Sequence, residues 1–200
     1  MKKIIISLIV LFGLTSSQAM AQIDFNWGVK AAANMSNYIL KDVKHTDSKM
    51  KIGASAGGFI NLGFSQAFSI QPEVLFHFNT SEMKDKSTGK KYDYEYWGVE
   101  IPIYAMASMP TNFGKNRLYA GAGPYVGYGF SLKNTTADIN LYKDDQIKEF
   151  DFGWTAMIGY EFGFGLQVNA GYKMGLTDLT DKMGGKIRTQ GINLGVGYRF

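Results

Sequence analysis

From Ile192 to Phe200 apolar residues hold every second position: Ile192, Leu194, Val196, Tyr198 and Phe200, with Asn193, Gly195, Gly197 and Arg199 between them. A period of two makes a strand with one apolar and one polar face. The segment stops on an aromatic that is also the last residue, with nothing after it to cover the strand. A soluble domain seldom ends this way; the closing strand of a barrel set in a membrane does.

The same alternation returns along the chain. It runs through Phe25–Met35, Ile52–Leu62, Phe68–Phe78, Trp97–Ala107, Leu118–Phe130, Phe150–Phe162 and Leu166–Leu176. With the last segment this makes about eight strands, each long enough to cross a bilayer at a tilt. Before Trp97 the phase is less regular: Tyr92, Tyr94 and Tyr96 fall on the side of Glu100, which predicts a bulge or an extension above the membrane. Long polar segments at 37–50, 80–91, 133–148 and 178–186 alternate with tight turns at 63–66, 109–116 and 163–165. Outer-membrane barrels have this asymmetry, with turns inside and loops outside, and an even strand number puts both termini on the periplasmic side. Pro72 and Pro124 each cost a ladder hydrogen bond and count against regular strands there.

A soluble sandwich or lipocalin-like barrel would also alternate. Its polar face would meet water and be rich in Lys, Glu and Thr. Here that face is mostly Gly, Ser and Asn with widely spaced charges, which suits the crowded inside of a narrow barrel. The other face is apolar, with Trp, Tyr and Phe toward its ends, like the aromatic girdles at lipid interfaces. The mean hydropathy of −0.12 is compatible with this, because only one face of each strand meets lipid. The expected fold is all-β, an eight-stranded antiparallel up-and-down transmembrane β-barrel.

The N-terminus reads as a secretory signal: Lys2 and Lys3, an apolar run from Ile4 to Leu14, and Ala19-Met20-Ala21 as an A-x-A cleavage site. The run is too short to span a bilayer as a helix. Residues 1–21 are therefore expected to be a cleaved signal peptide and 22–200 the barrel domain, located in the cell outer membrane. Without Lys2 and Lys3 the 21 basic residues become 19, against 17 acidic. No basic cluster is dense enough to track a phosphate backbone, so nucleic acid is not an expected partner.

Eight charges fall on the inner phase: Lys30, Arg117, Lys173 and Arg199 against Glu73, Glu100, Asp151 and Glu161. A charge inside a narrow barrel must be paired or solvated. The four and four are expected to form a structural ion-pair and hydrogen-bond network that plugs the barrel and leaves at most small water pockets.

Nothing points to a catalytic or metal centre. There is no cysteine, and the two histidines, His45 and His77, are far apart in sequence. A rim site built from His77 with Ser81 and Glu82 would need those groups to meet in space. Asp144-Asp145 and Asp178/Asp181 lack the spacing of a dedicated Ca²⁺ loop. No cofactor is expected.

Two resemblances add to this. Asn193, Gly195, Tyr198 and Phe200 resemble the β-signal read by the outer-membrane assembly machinery, which makes that machinery an expected partner during biogenesis, beside outer-membrane lipid. Trp27-Gly28-Val29-Lys30-Ala31-Ala32-Ala33-Asn34-Met35-Ser36-Asn37 is similar to the opening strand of the Bacteroidetes outer-membrane β-barrel (porin-like, PorT-type) domains. Ala32 stands where that family usually has glycine. Tyr96-Trp97-Gly98-Val99-Glu100-Ile101-Pro102-Ile103 is similar to its strand with a Glu-Ile-Pro core. The resemblance implies a small outer-membrane barrel and carries no catalytic residues.

The expected function is a structural or surface-interaction role through the polar loops, with an unidentified extracellular or envelope partner. Small-solute transport or a secretion and transport accessory role is the alternative, and an outer-membrane barrel enzyme is the third.

Overall fold

The computed structural model describes residues 23–41, 46–49, 51–85, 91–112, 114–134, 139–140, 148–178 and 186–200. The leader (1–21), His45 and Asp144-Asp145 lie outside them. Eight strands cross the barrel: β1 (Asp24–Lys41), β3 (Lys51–Gly63), β4 (Phe68–Asp85), β5 (Lys91–Pro110), β6 (Arg117–Asn134), β8 (Phe150–Glu161), β9 (Leu166–Gly175) and β10 (Lys186–Arg199). Two short strands, β2 (Thr46–Lys49) on β4 and β7 (Ile139–Asn140) on β6, belong to the loop end. All neighbours are antiparallel and follow the order of the chain.

The cylinder closes where β10 meets β1, in register from Gly28 opposite Arg199 to Lys41 opposite Lys186. Phe200 continues that seam. Its N–H donates to the Trp27 carbonyl at 2.9 Å, and its ring stacks on Trp27 with centroids 4.2 Å apart. Closure leaves the eight spanning strands without a free edge through the lipid layer, the condition for a sheet to exist there.

The two phases of the alternation separate as the sequence implies. Outward positions hold large exposed apolar side chains, among them Ile52, Phe76, Ile158 and Leu194, the last 64% exposed. From Met35 through Val29, Ile103, Val126, Val168 and Val196, no outward position of the band carries a charge among the described residues. Aromatic pairs bound the band. Trp27/Phe200, Tyr160/Phe162 and Phe162/Phe164 lie near the turns; Phe78/Trp97 and Tyr128/Phe150 lie toward the loops. From Phe68 to Phe78 a strand runs about 33 Å, or about 25 Å along the barrel axis at a tilt of about 40°, which matches the apolar height of an outer-membrane barrel.

Several expected loop residues are strand instead. β1 runs through 37–41, β4 through Asp85, β5 starts at Lys91, β6 runs through Asn134 and β10 starts at Lys186. At the turn end, Met109 and Pro110 likewise belong to β5. Backbone pairing does not need an apolar face once both faces meet water, so polar sequence hid these continuations. β4 and β5 stay paired out to Lys84 opposite Lys91, which carries them about 15 Å past the Phe78/Trp97 girdle.

The irregularity before Trp97 has a definite form. β5 keeps its phase, with Tyr96, Gly98 and Glu100 all inward, while β6 carries one extra residue, Phe130, opposite the Trp97–Gly98 step. Pro72 and Pro124 lie within β4 and β6 after all. The pairing passes over the rungs beside them and resumes in the same register, because the flanking rungs of a closed barrel hold it.

Glycines on the inner phase make room for large neighbours. Tyr119 lies over Gly159, Phe59 over Gly28 and Met106 over Gly121, each directly across a strand pair. A Cβ at Gly159 would stand 2.3 Å from the Tyr119 ring. The abundance of glycine on the polar face is thus a packing device inside an eight-stranded barrel, whose interior is only wide enough for side chains.

Candidate functional site in the barrel interior

The interior is built in layers along the axis. At mid-height Tyr104, Met106, Tyr119 and Met157 form a buried cluster contributed by β5, β6 and β8. Tyr104 is fixed by its hydroxyl, 3.2 Å from Thr155 Oγ1, whose hydroxyl in turn donates to the Tyr172 carbonyl. Lys30 lies against this cluster, with Nζ 3.6 Å from Met157 Sδ and 5.7 Å from the Tyr104 ring centroid. Its ammonium donates to both oxygens of Glu73, at 3.0 and 3.2 Å. Gln71 donates to the same carboxylate at 2.9 Å, and Asn61 donates to Gln71. Glu73 is 1% exposed, so its charge depends on these donors.

On the loop side of the cluster, Lys173 pairs with Glu100, and His77 Nε2 lies 3.9 Å from the same carboxylate. Asn34 Nδ2 is 3.3 Å from His77 Nδ1, and Ser55 donates to Asn34 Oδ1. A cavity of about 20 Å³ is left among these groups, enough for little more than one water. Above it Tyr125 and Thr189 both donate to Asp151 Oδ2, at 2.8 and 2.6 Å.

On the turn side, Glu161 receives Arg199 on Oε1 and Gln167 on Oε2. Here the barrel opens into a vestibule of about 290 Å³ lined by Asn61, Gln71, Met106, Arg117, Tyr119 and Glu161, among others. No residue lines both cavities; the mid-height cluster stands between them.

The eight inner charges therefore resolve into three direct pairs, Lys30–Glu73, Lys173–Glu100 and Arg199–Glu161. Asp151 is held by hydroxyls. Arg117 has no acidic partner among the described residues, although Glu161 lies directly across the β6–β8 pairing from it. Asp151 and Arg117 sit on neighbouring strands but at opposite ends, Asp151 opposite Gly127 and Arg117 opposite Glu161, so they do not meet.

Asn193, Gly195, Tyr198 and Phe200 all lie on the closing strand segment. Asn193 packs inward over Gly171; Tyr198 and Phe200 face out with ring centroids 5.1 Å apart. A closed cylinder of this strand number, apolar band and seam is the architecture of bacterial outer-membrane proteins. The model of one family, the outer membrane protein beta-barrel domain, matches residues 16–181.

The chain belongs to that family, and its place is the outer membrane. No curated protein matches this outer-membrane barrel in sequence. Among solved structures it is similar to OprG from Pseudomonas aeruginosa, with a TM-score of 0.59, 11% identity, 89% of this chain and 97% of that one covered. It is also similar to Neisserial surface protein A, with a TM-score of 0.52, 14% identity, 87% of this chain and 97% of that one covered. At such identities the likeness is one of fold.

The sequence did not single out Tyr104, Met106, Tyr119 and Met157 as a barrier, though it put them on the inner phase. Their period was legible; their meeting at one height depended on the strand stagger. His77 was legible as an inward residue. Its described polar neighbours are Asn34 and Glu100, and among the described residues no three His, Asp or Glu side chains gather as metal ligands.

Proposed function

We propose that this outer-membrane barrel is a sealed, surface-interacting protein of the Bacteroidetes type that works through its loop-end crown. The observation that carries this is the buried Tyr104–Met106–Tyr119–Met157 layer, backed by Lys30–Glu73, between two cavities that share no lining residue. The paired β4–β5 wall past the girdle offers a rigid platform for an extracellular or envelope partner. The Bacteroidetes assignment rests on the opening strand from Trp27 to Asn37 and the Glu100-Ile101-Pro102 core.

Residues 1–21 would be removed before Gln22, and the mass of the purified mature protein tests this. Asn193, Gly195, Tyr198 and Phe200 would serve as the signal to the assembly machinery. Normal outer-membrane assembly of a chain lacking Phe200 would refute that role.

The second reading, passage of a small solute or an accessory role in transport, draws support from the turn-side vestibule. Proteoliposome swelling separates the two. The sealed barrel should swell no faster than empty liposomes in isosmotic glycine or arabinose, and solute-dependent swelling would favour transport. No catalytic role is proposed. Turnover of a lipid or peptide substrate that is lost in His77→Ala would reverse this.

A further inference from the structure

We infer that the turn-end vestibule is a binding site for a small carboxylate, with Arg117 as its anchor. The site is distinct from the crown and independent of the role proposed for it. Arg117 starts β6 at the mouth and is half-buried. The nearest acid by strand pairing is Glu161, directly opposite. Glu161 turns both its oxygens elsewhere: Oε1 takes Arg199 from β10 and Oε2 takes Gln167 from β9. It is buried there, and the donor on each oxygen comes from another strand. The arrangement leaves a guanidinium, with its planar fork of donors, lining a cavity without an acidic partner among the described residues.

Of the rest of the lining, the Asp24 carboxylate at the start of β1 opposes an anion, and the other groups fit the ligand. On the β3–β4 wall, Asn61 Nδ2 donates to Ser69 and Gln71, and Gln71 Nε2 donates to Glu73. Both Asn61 N–H groups are thus engaged, and among the described residues Arg117 is the lining cation left to meet an anion. Met106 and Tyr119 form an apolar floor, suited to the carbon part of an organic acid. At about 290 Å³ the vestibule takes a molecule of a few heavy atoms, and its opening at the turn end faces the periplasm. A phosphate-sized inorganic anion would use the guanidinium but leave that floor uncovered, so a carboxylate with a short carbon chain is the better match.

The test uses the purified full barrel in lipid nanodiscs, with the Arg side chains ¹⁵N-labelled and succinate as the probe at constant ionic strength. Saturable shifts of the Arg117 guanidinium signal are expected, with affinity falling about tenfold or more in Arg117→Gln. Chloride at equal ionic strength should not reproduce them. Retention of the heat-modifiable gel shift in Arg117→Gln shows that the variant is folded. Arg117→Lys, which keeps the charge but not the fork, should bind more weakly than the native barrel. Non-saturable shifts, shifts matched by chloride, or equal succinate affinity in folded Arg117→Gln would each overturn the assignment.

Discussion

The two ends of the barrel interior treat charge differently. Toward the loops and at mid-height the charges are enclosed: Lys30 meets Glu73, Lys173 meets Glu100 beside a cavity of about 20 Å³, and above it Asp151 is clasped by two hydroxyls. Toward the turns one pair, Arg199–Glu161, borders an open vestibule of about 290 Å³ in which Arg117 has no acidic partner among the described residues. The strands differ in the same sense. They stop near the girdle at the turns but overrun it at the loops, where β4 and β5 are still paired at Lys84 and Lys91. The lesson is that one period-two pattern builds both ends, and the placement of few large residues decides which end is shut.

The largest effect expected from breaking this contrast is at the enclosed end. Glu73→Ala strands the Lys30 ammonium in the core and should destabilise the barrel by about 3–5 kcal/mol in urea unfolding from lipid vesicles. The double variant Lys30→Met, Glu73→Leu removes both charges and should recover most of that loss. Arg117→Gln at the open end should leave the unfolding midpoint nearly unchanged, since it breaks no ion pair among the described residues. Equal losses at Glu73 and Arg117 would erase the distinction between the two ends.

The lipid face gives the next effect. Leu194→Arg, in the middle of the apolar band, should cost about 2–4 kcal/mol, whereas Phe150→Arg, near the loop-side girdle, should cost about 0–1 kcal/mol. The same vesicle unfolding assay reads both, and a reversed order would misplace the band. Smaller again is overpacking. Gly159→Ala puts a methyl into the Tyr119 ring and should cost about 1–3 kcal/mol, with part of the loss relieved in Gly159→Ala, Tyr119→Leu. The smallest is Asn34→Ala on the loop side, at about 1 kcal/mol for its hydrogen bonds to His77 and Ser55.

What the sequence made legible follows from what a period of two can report. It distinguishes faces, so Lys30, Glu73, Glu100 and Glu161 were recognisable as inward, and Leu194 and Val196 as lipid-facing. It counts strands, because each must alternate to cross the lipid. It does not give height. The partner of Glu161 is Arg199 rather than Arg117, and this depends on stagger between strands far apart in sequence. It reports strands outside the lipid only in part. Thr80–Asp85 carries polar residues on both phases and left no apolar trace, whereas Tyr92, Tyr94 and Tyr96 hold one phase and hinted at an extension above the membrane. The bulge at Phe130 lay across the sheet from the Tyr92–Tyr96 irregularity that hinted at it.

The reading proposed above has the Tyr104–Met106–Tyr119–Met157 layer seal the barrel between the turn-side and the loop-side cavity. Planar-bilayer recording of the purified native protein tests it most directly. No stable unitary conductance above the bare-membrane leak is expected, with openings appearing only when the layer is cut back in Tyr104→Ala, Tyr119→Ala. Steady, resolvable channels in the native protein, unchanged by that double substitution, would contradict it.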